Sequence, residues 1–285
     1  MDSDCWACVF LHVGWILRAE LRLVCRGWTA TLDSSLMWPD VCTDLSRESL
    51  HIACADGKLE AAQWLVAIFG LAASDARAND NLAFRSSCAN GHLRVAQWIV
   101  DAFGLTADDA RGNDNFALHS ACADGHLDVA QWLVATFDLT TADARADNNY
   151  ALCYSCGYGH LEVAQWLVAT FGLTADDARA DDNLALHFSC AHGHLASARW
   201  LAETFSLGVD DARAGANRTL RYTCENGHIE VVQWLVADFG LTAEDARADH
   251  NYALIYSCKN GHQEMARWLV DTFGLWPHCE KCRPL

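Results

Sequence analysis

The sequence predicts an all-α solenoid of short helical repeats behind a small helical N-terminal segment. Seven tryptophans, Trp64, Trp98, Trp132, Trp166, Trp200, Trp234 and Trp268, stand 34 residues apart without exception. A fixed period of this length marks a stacked repeat architecture. Around them runs one apolar pattern, as in LEVAQWLVATF at 161–171, whose length and spacing are those of a helix and not of a strand. The composition agrees: 52% hydrophobic and 20% charged residues with only three prolines place the chain far from disordered or proline-rich segments.

Charge narrows the function classes. With 37 acidic residues against 20 Lys and Arg the formal charge is −17, which disfavours phosphate backbones and anionic lipid surfaces, because both need a basic stripe. No run reaches the roughly 18 apolar residues of a membrane span. The apolar stretch CWACVFLHVGWIL at 5–17 has Asp2 and Asp4 before it, Arg18 and Glu20 after it and no small-residue cleavage site, so it does not read as a secretion signal, and a cytoplasmic or nuclear protein is expected.

Copies of the repeat start at Arg47, Asn81, Asn115, Asn149, Asn183, Asn217 and Asn251. They occupy 47–80, 81–114, 115–148, 149–182, 183–216, 217–250 and 251–284, leaving 1–46 as a separate segment. In the copy at 149–182, Asn149 is a suitable N-cap for a first helix reaching about Gly157, with Leu152, Ser155 and Cys156 as its small-residue stripe. Gly159 ends it. A second helix covers 161–171, polar only along Glu162, Gln165 and Ala169, and Gly172 closes it. Thr174 with Asp177 then forms a capping-box pattern, repeated by Thr106 with Asp109, Thr140 with Asp143 and Thr242 with Asp245, which predicts a third, short helical turn.

The segment LHSACADGHLDVAQWLV at 118–134 resembles the ankyrin repeat, through Leu118, His119, Ala121, Gly125, His126, Val129 and Leu133, and the likeness extends over all the copies. Departures are the 34-residue period, alanine at the signature proline, and FGLTADDARAD at 171–181 where the family has a glycine-rich turn and a β-hairpin. The resemblance implies protein binding on an extended surface and no catalysis.

Residues 21–41, LRLVCRGWTATLDSSLMWPDV, resemble the second half of an F-box. Leu21, Leu23, Val24, Cys25 and Trp28 match its packing helix, and Leu36 with Trp38 its closing segment; the Leu-Pro opening is absent. What this implies is docking to a Skp-type adaptor through Leu21, Val24, Cys25, Trp28 and Trp38, and hence a substrate receptor of a cullin-RING ubiquitin ligase. The alternative is a plain scaffold or sequestering protein whose N-terminus only caps the first copy, with Leu21, Val24 and Trp28 against Ala61 and Trp64.

The chain carries its own comparison. Positions identical in every copy are set by neighbouring copies, and positions that vary are free for a partner. The tryptophan ladder, the cysteines Cys54 to Cys258, and the phenylalanines Phe69 to Phe273 therefore read as packing, the cysteines as reduced thiols. The recurring arginines Arg77 to Arg247 read as bridges to aspartates, and the histidines His92 to His262 as backbone hydrogen-bonders at their turn. The position two after the signature leucine varies: Ile52, Ser86, Ser120, Tyr154, Phe188, Tyr222, Tyr256. Four residues to either side, on the same helix face, stand Tyr150, Arg218 and Tyr252, and Tyr158 and His192. Tyrosine, phenylalanine and arginine dominate protein interfaces. Tyr150, Tyr154, Tyr158, Phe188, His192, Arg218, Tyr222, Tyr252 and Tyr256 are thus the expected binding face for a protein target, with the chain acting as a monomer.

Two Cys-x-x-Cys pairs, Cys5 with Cys8 and Cys279 with Cys282 beside His278, lie at opposite ends of the repeats and cannot share one zinc ion. With no nucleotide-binding loop and no catalytic constellation outside the recurring residues, neither a metal, a cofactor nor an enzymatic activity is expected.

Overall fold

The computed structural model describes residues 38–275, with side chains from residue 47 onward. Among these residues every regular element is helical. Two compact units are present, the first ending at Leu105 and the second starting at Thr106. The first holds the helix pairs Trp38–Ala55 with Leu59–Phe69 and Ala78–Ala89 with Leu93–Phe103, joined by the short turn Ala73–Ala76. In the second, the first helices are Ala107–Ala123, Ala146–Gly157, Ala180–Ala191, Val209–Glu225 and Ala248–Lys259, and the second helices are Leu127–Phe137, Leu161–Phe171, Leu195–Phe205, Ile229–Phe239 and Gln263–Phe273. Within this unit each first helix packs on the next first helix and on its own second helix.

The core follows from the repeat. Leu118, Leu152, Leu186 and Leu220 from the first helices and Leu133, Leu167, Leu201 and Leu235 from the second are 0% exposed. Each contributes about 1.5–3 kcal/mol by leaving water. In Leu161–Phe171 the buried set is Val163, Ala164, Leu167 and Phe171, while Glu162, Gln165 and Ala169 face solvent as their polarity and small size suggested. The tryptophans are mostly half-buried and pack edge-on against the phenylalanine five residues later, as Trp166 does with Phe171 at 6.0 Å between ring centroids. Cys54, Cys88, Cys122, Cys156, Cys190 and Cys224 are free, buried thiols, and burial raises their pKa values. Cys258 breaks the ladder, being disulfide-bonded.

The short third turn is present at Thr141–Ala144, Ala175–Ala178 and Ala243–Ala246. Asp177 Oδ2 accepts from the Thr174 backbone N–H at 2.7 Å and from its hydroxyl at 3.0 Å. The aspartate is the half of this motif that does not vary. Where Ala72 or Gly208 replaces threonine, Asp75 and Asp211 still accept the cap N–H at 2.8 Å. The same carboxylates receive the arginine ladder: Arg111, Arg145, Arg179 and Arg213 each send Nε to Oδ1 of Asp143, Asp177, Asp211 and Asp245 at 2.7–2.8 Å. One aspartate thereby closes its own helical turn and ties it to the preceding copy.

Two further sequence expectations change in detail. Asn149 is no N-cap. Asp147, Asn148 and Asn149 are three consecutive left-handed residues, with φ of 50°, 55° and 60°, and the same reversal recurs at 79–81, 113–115, 181–183, 215–217 and 249–251. It turns the chain from the short helix into the first helix, and Asn and Asp tolerate it best among residues with a Cβ. The third asparagine is buried at 6–8% exposure in Asn81, Asn115, Asn149 and Asn183, with its Oδ1 facing no donor. The histidine ladder, in turn, bonds across copies and not within its own turn. His92 Nε2 donates to the Ala55 carbonyl at 3.0 Å, and its ring covers Gly57, where a Cβ would stand 2.6 Å from Nδ1. Gly125, Gly159, Gly193 and Gly227 lie under His160, His194, His228 and His262 in the same way.

Of the N-terminal segment, Leu21, Val24, Cys25 and Trp28 lie outside the described residues. Trp38 opens the helix Trp38–Ala55, which runs through the expected boundary at 46/47. Cys5, Cys8, Cys279 and Cys282 also fall outside.

Candidate functional site

The varying first-helix positions of the second unit converge on one chain of rings. Tyr150 and Tyr154, one helical turn apart, stack at 3.8 Å between centroids. Tyr154 meets Tyr158 at 5.7 Å and, on the next first helix, Phe188 at 5.1 Å, both edge-on. Tyr158 lies 5.9 Å from His192, and Phe188 5.7 Å from it. A second cluster follows: Tyr222 against Tyr252 at 5.7 Å, and Tyr252 stacked on Tyr256 at 4.1 Å. Such pairs contribute about 0.5–1.5 kcal/mol each beyond area burial. Tyr158 is 45% and Tyr222 37% exposed, His192 is also exposed, and Tyr150, Tyr154, Phe188, Tyr252 and Tyr256 are half-buried.

The sequence missed the residues that join and charge these clusters. His119 stacks on Tyr150 at 5.6 Å, and His187 lies between Phe188 at 5.5 Å and Tyr222 at 5.3 Å. The Arg221 guanidinium stands 6.0 Å from the Tyr222 ring and 5.0 Å from that of Tyr252, and Lys259 Nζ 4.5 Å from that of Tyr256. Arg221 also pairs with Asp249, and the Tyr252 hydroxyl donates to Glu225 at 2.6 Å. Arg218, expected among the rings, acts by charge on His187, and Arg221 takes the ring contacts. A signal existed: the position directly after the signature leucine varies too, reading His51, Arg85, His119, Cys153, His187, Arg221 and Ile255.

The electrostatics keep the face uncharged at its centre. Burial, then Arg218, His192 and Arg221, push the His187 imidazole down to about 3, so it is neutral at pH 7. Burial likewise lowers His119, against the pull of its hydrogen bond to the Asp143 carbonyl. Burial and the neighbouring Tyr154, Tyr158, Asp124 and Asp147 push the Tyr150 phenol up to about 12. Rings, neutral imidazoles and a few cations can recognise a partner by stacking and hydrogen bonding. Among the described residues no group of three or more His, Cys, Asp or Glu is placed to hold a metal ion, and no helix is long and apolar enough to cross a membrane.

Stacked helix pairs presenting a ring-lined face define a helical-repeat binding protein. The chain matches the family described as ankyrin repeats (3 copies) over residues 50–143, 118–214 and 206–280. It belongs to the ankyrin-repeat family, and its role is protein–protein interaction. Among solved structures it is similar to an ankyrin repeat family protein from Legionella pneumophila, at 18% identity and a TM-score of 0.41, covering 80% of this chain and 72% of that one. The human ASB11 ankyrin repeat domain is similar at 18% identity and a TM-score of 0.49, covering 77% and 96%. Among curated proteins none matches this chain.

Proposed function

We propose that the chain is a non-enzymatic adaptor of seven repeats, 47–284, that holds a protein target on its first-helix face. The carrying observation is the ring chain from His119 through Tyr150, Tyr154, Phe188 and His187 to Tyr222, Tyr252 and Tyr256, which continues over successive first helices. Side chains that merely filled the space between copies would be buried, yet Tyr158 and Tyr222 keep more than a third of their surface in water.

Residues 1–46, through Leu21, Val24, Cys25, Trp28 and Trp38, dock to a Skp-type adaptor in this reading. The target is then held beside the ubiquitin-transfer machinery, raising its effective concentration there. The sequence likeness to an F-box supports that half. The test is binding of the purified full chain to the Skp-type adaptor, with Trp28→Ala as the control. Binding lost in the variant supports the ligase receptor. A folded chain that leaves the adaptor unbound reduces residues 1–46 to a cap and leaves a plain scaffold.

A further inference from the structure

The two ring clusters differ in what surrounds them. At the high-numbered end the chain supplies its own cations, Arg221 over Tyr222 and Tyr252 and Lys259 over Tyr256. At the low-numbered end, among the described residues, no cation of the chain stands over Tyr150, Tyr154 or Tyr158. Aromatic faces attract cations through their quadrupole; Tyr150 is stacked against both His119 and Tyr154, which leaves half-buried Tyr154 and exposed Tyr158 as the rings open to a cation.

The adjoining edge is acidic over the same stretch. The left-handed reversals expose their first two residues, Asn113–Asp114, Asp147–Asn148 and Asp181–Asp182. Asp124, also exposed, follows the opposite end of the first helix. None of these carboxylates joins an ion pair among the described residues. Their field reaches the rings: Asp124 and Asp147 act on the Tyr150 phenol, Asp147 on Tyr154, and Asp181 on the neighbouring Cys153. The next reversal, Gly215–Ala216–Asn217, carries no acid and is followed by Arg218 and Arg221. The acidic edge thus stops where the chain begins to supply its own cations.

We infer that the face between residues 114 and 192 receives a cationic, Arg- and Lys-bearing segment of the partner protein, its cations over Tyr154 and Tyr158 and against the carboxylates of the reversals. This rests on the ring face being the partner surface and adds the chemistry of what it takes. Cation–π contact and unpaired carboxylates select the same charge, and the reversal at 215–217 sets the far limit of the segment.

The experiment measures binding of two fluorescein-labelled peptides, (Arg-Gly-Ser)4 and (Glu-Gly-Ser)4, to the full chain by anisotropy. Three double variants are compared, each checked for native helix content. Tyr154→Leu/Tyr158→Leu keeps apolar bulk without the ring face. Asp147→Asn/Asp181→Asn keeps residues that tolerate the left-handed turn. Glu203→Gln/Glu230→Gln makes the same charge change on exposed second-helix positions. The arginine peptide is expected to bind, and to weaken at least tenfold in each of the first two variants but not in the third. Equal weakening in the second and third reduces the effect to diffuse attraction and overturns the inference, as does unchanged binding in the ring variant. Ring-dependent binding of the glutamate peptide overturns the cation chemistry while leaving the face as a binding surface. No binding of either peptide also overturns the inference, and the partner surface itself is then decided by cross-linking from Tyr158, set out below.

Discussion

Replacing Gly193 by alanine probes the coupling between copies at one point. Gly193 has φ of 81°, and a Cβ there would lie 2.5 Å from His228 Nδ1. The left-handed conformation costs an L-residue about 1–2 kcal/mol. The imidazole must also move, giving up its hydrogen bond to the Ala191 carbonyl, worth about 1 kcal/mol. Gly193→Ala is therefore expected to destabilise by about 2–3 kcal/mol. Gly172→Ala is the internal control: φ is 62°, nothing lies within 4 Å of its added Cβ, and only the backbone cost of about 1–2 kcal/mol remains. The assay is urea unfolding followed by circular dichroism, extended to a double-mutant cycle with His228→Ala. In the His228→Ala background, Gly193→Ala should cost no more than Gly172→Ala, a coupling of about 1 kcal/mol. Equal costs for the two glycine variants, or a cycle that closes additively, refute the claim that histidine on glycine joins the copies.

Two further outcomes follow from the ladders. Arg213 draws the Asp245 carboxyl down to about 2, against burial and helped by Thr242. A carboxylate depressed in the folded state stabilises above its unfolded pKa, and that contribution is lost as pH falls from about 4 through about 2. Asp245 is 7% exposed on its side chain but Arg213 40%, so after solvent screening about 1–2 kcal/mol is at stake. Asp245→Asn should lower stability by that amount at pH 7 and flatten the acid limb of the stability curve; an unchanged acid limb contradicts the assignment. The thiols of Cys122, Cys156, Cys190 and Cys224 are fully buried with raised pKa values. Native protein should leave them unreacted with a thiol reagent until it unfolds, and fast labelling of any of them by mass spectrometry would show that the stack opens locally.

Much of the fold was readable because a repeat states its rules several times. The helix at 161–171, the stop at Gly172 and the turn after Thr174 each rest on local chemistry, and the structure has all three. That the recurring arginines bridge copies through aspartates followed from charge, and the structure names the partners, as in Arg145 with Asp177. Asn149 was misread for a physical reason: asparagine suits both an N-cap and a left-handed residue, and sequence does not separate the two. The direction of the histidine bonds was hidden because it depends on which copy lies over which glycine. In the ring face the sequence placed Tyr150, Tyr154, Tyr158 and Phe188 correctly on neighbouring helices, since i, i+4 spacing fixes a face. It did not single out Arg221, which reaches the Tyr222 and Tyr252 rings, because which residue reaches a ring on the next helix is set by the stagger of the stack. Trp28 and its neighbours lie beyond the described residues, so the N-terminal half stands on sequence likeness.

The central claim is that the ring-lined first-helix face holds the protein partner. Its most direct test places photoreactive p-benzoylphenylalanine at position 158 or, as a control, at position 203 on the exposed side of a second helix in the full chain in its native host cell. Cross-linked bands are compared after purification under denaturing conditions. The expected result is a discrete partner captured from position 158, absent from position 203 and lost when Tyr154 and Tyr222 are replaced by alanine in a chain that remains folded. Capture of a discrete partner from position 203 but not from 158 would contradict it.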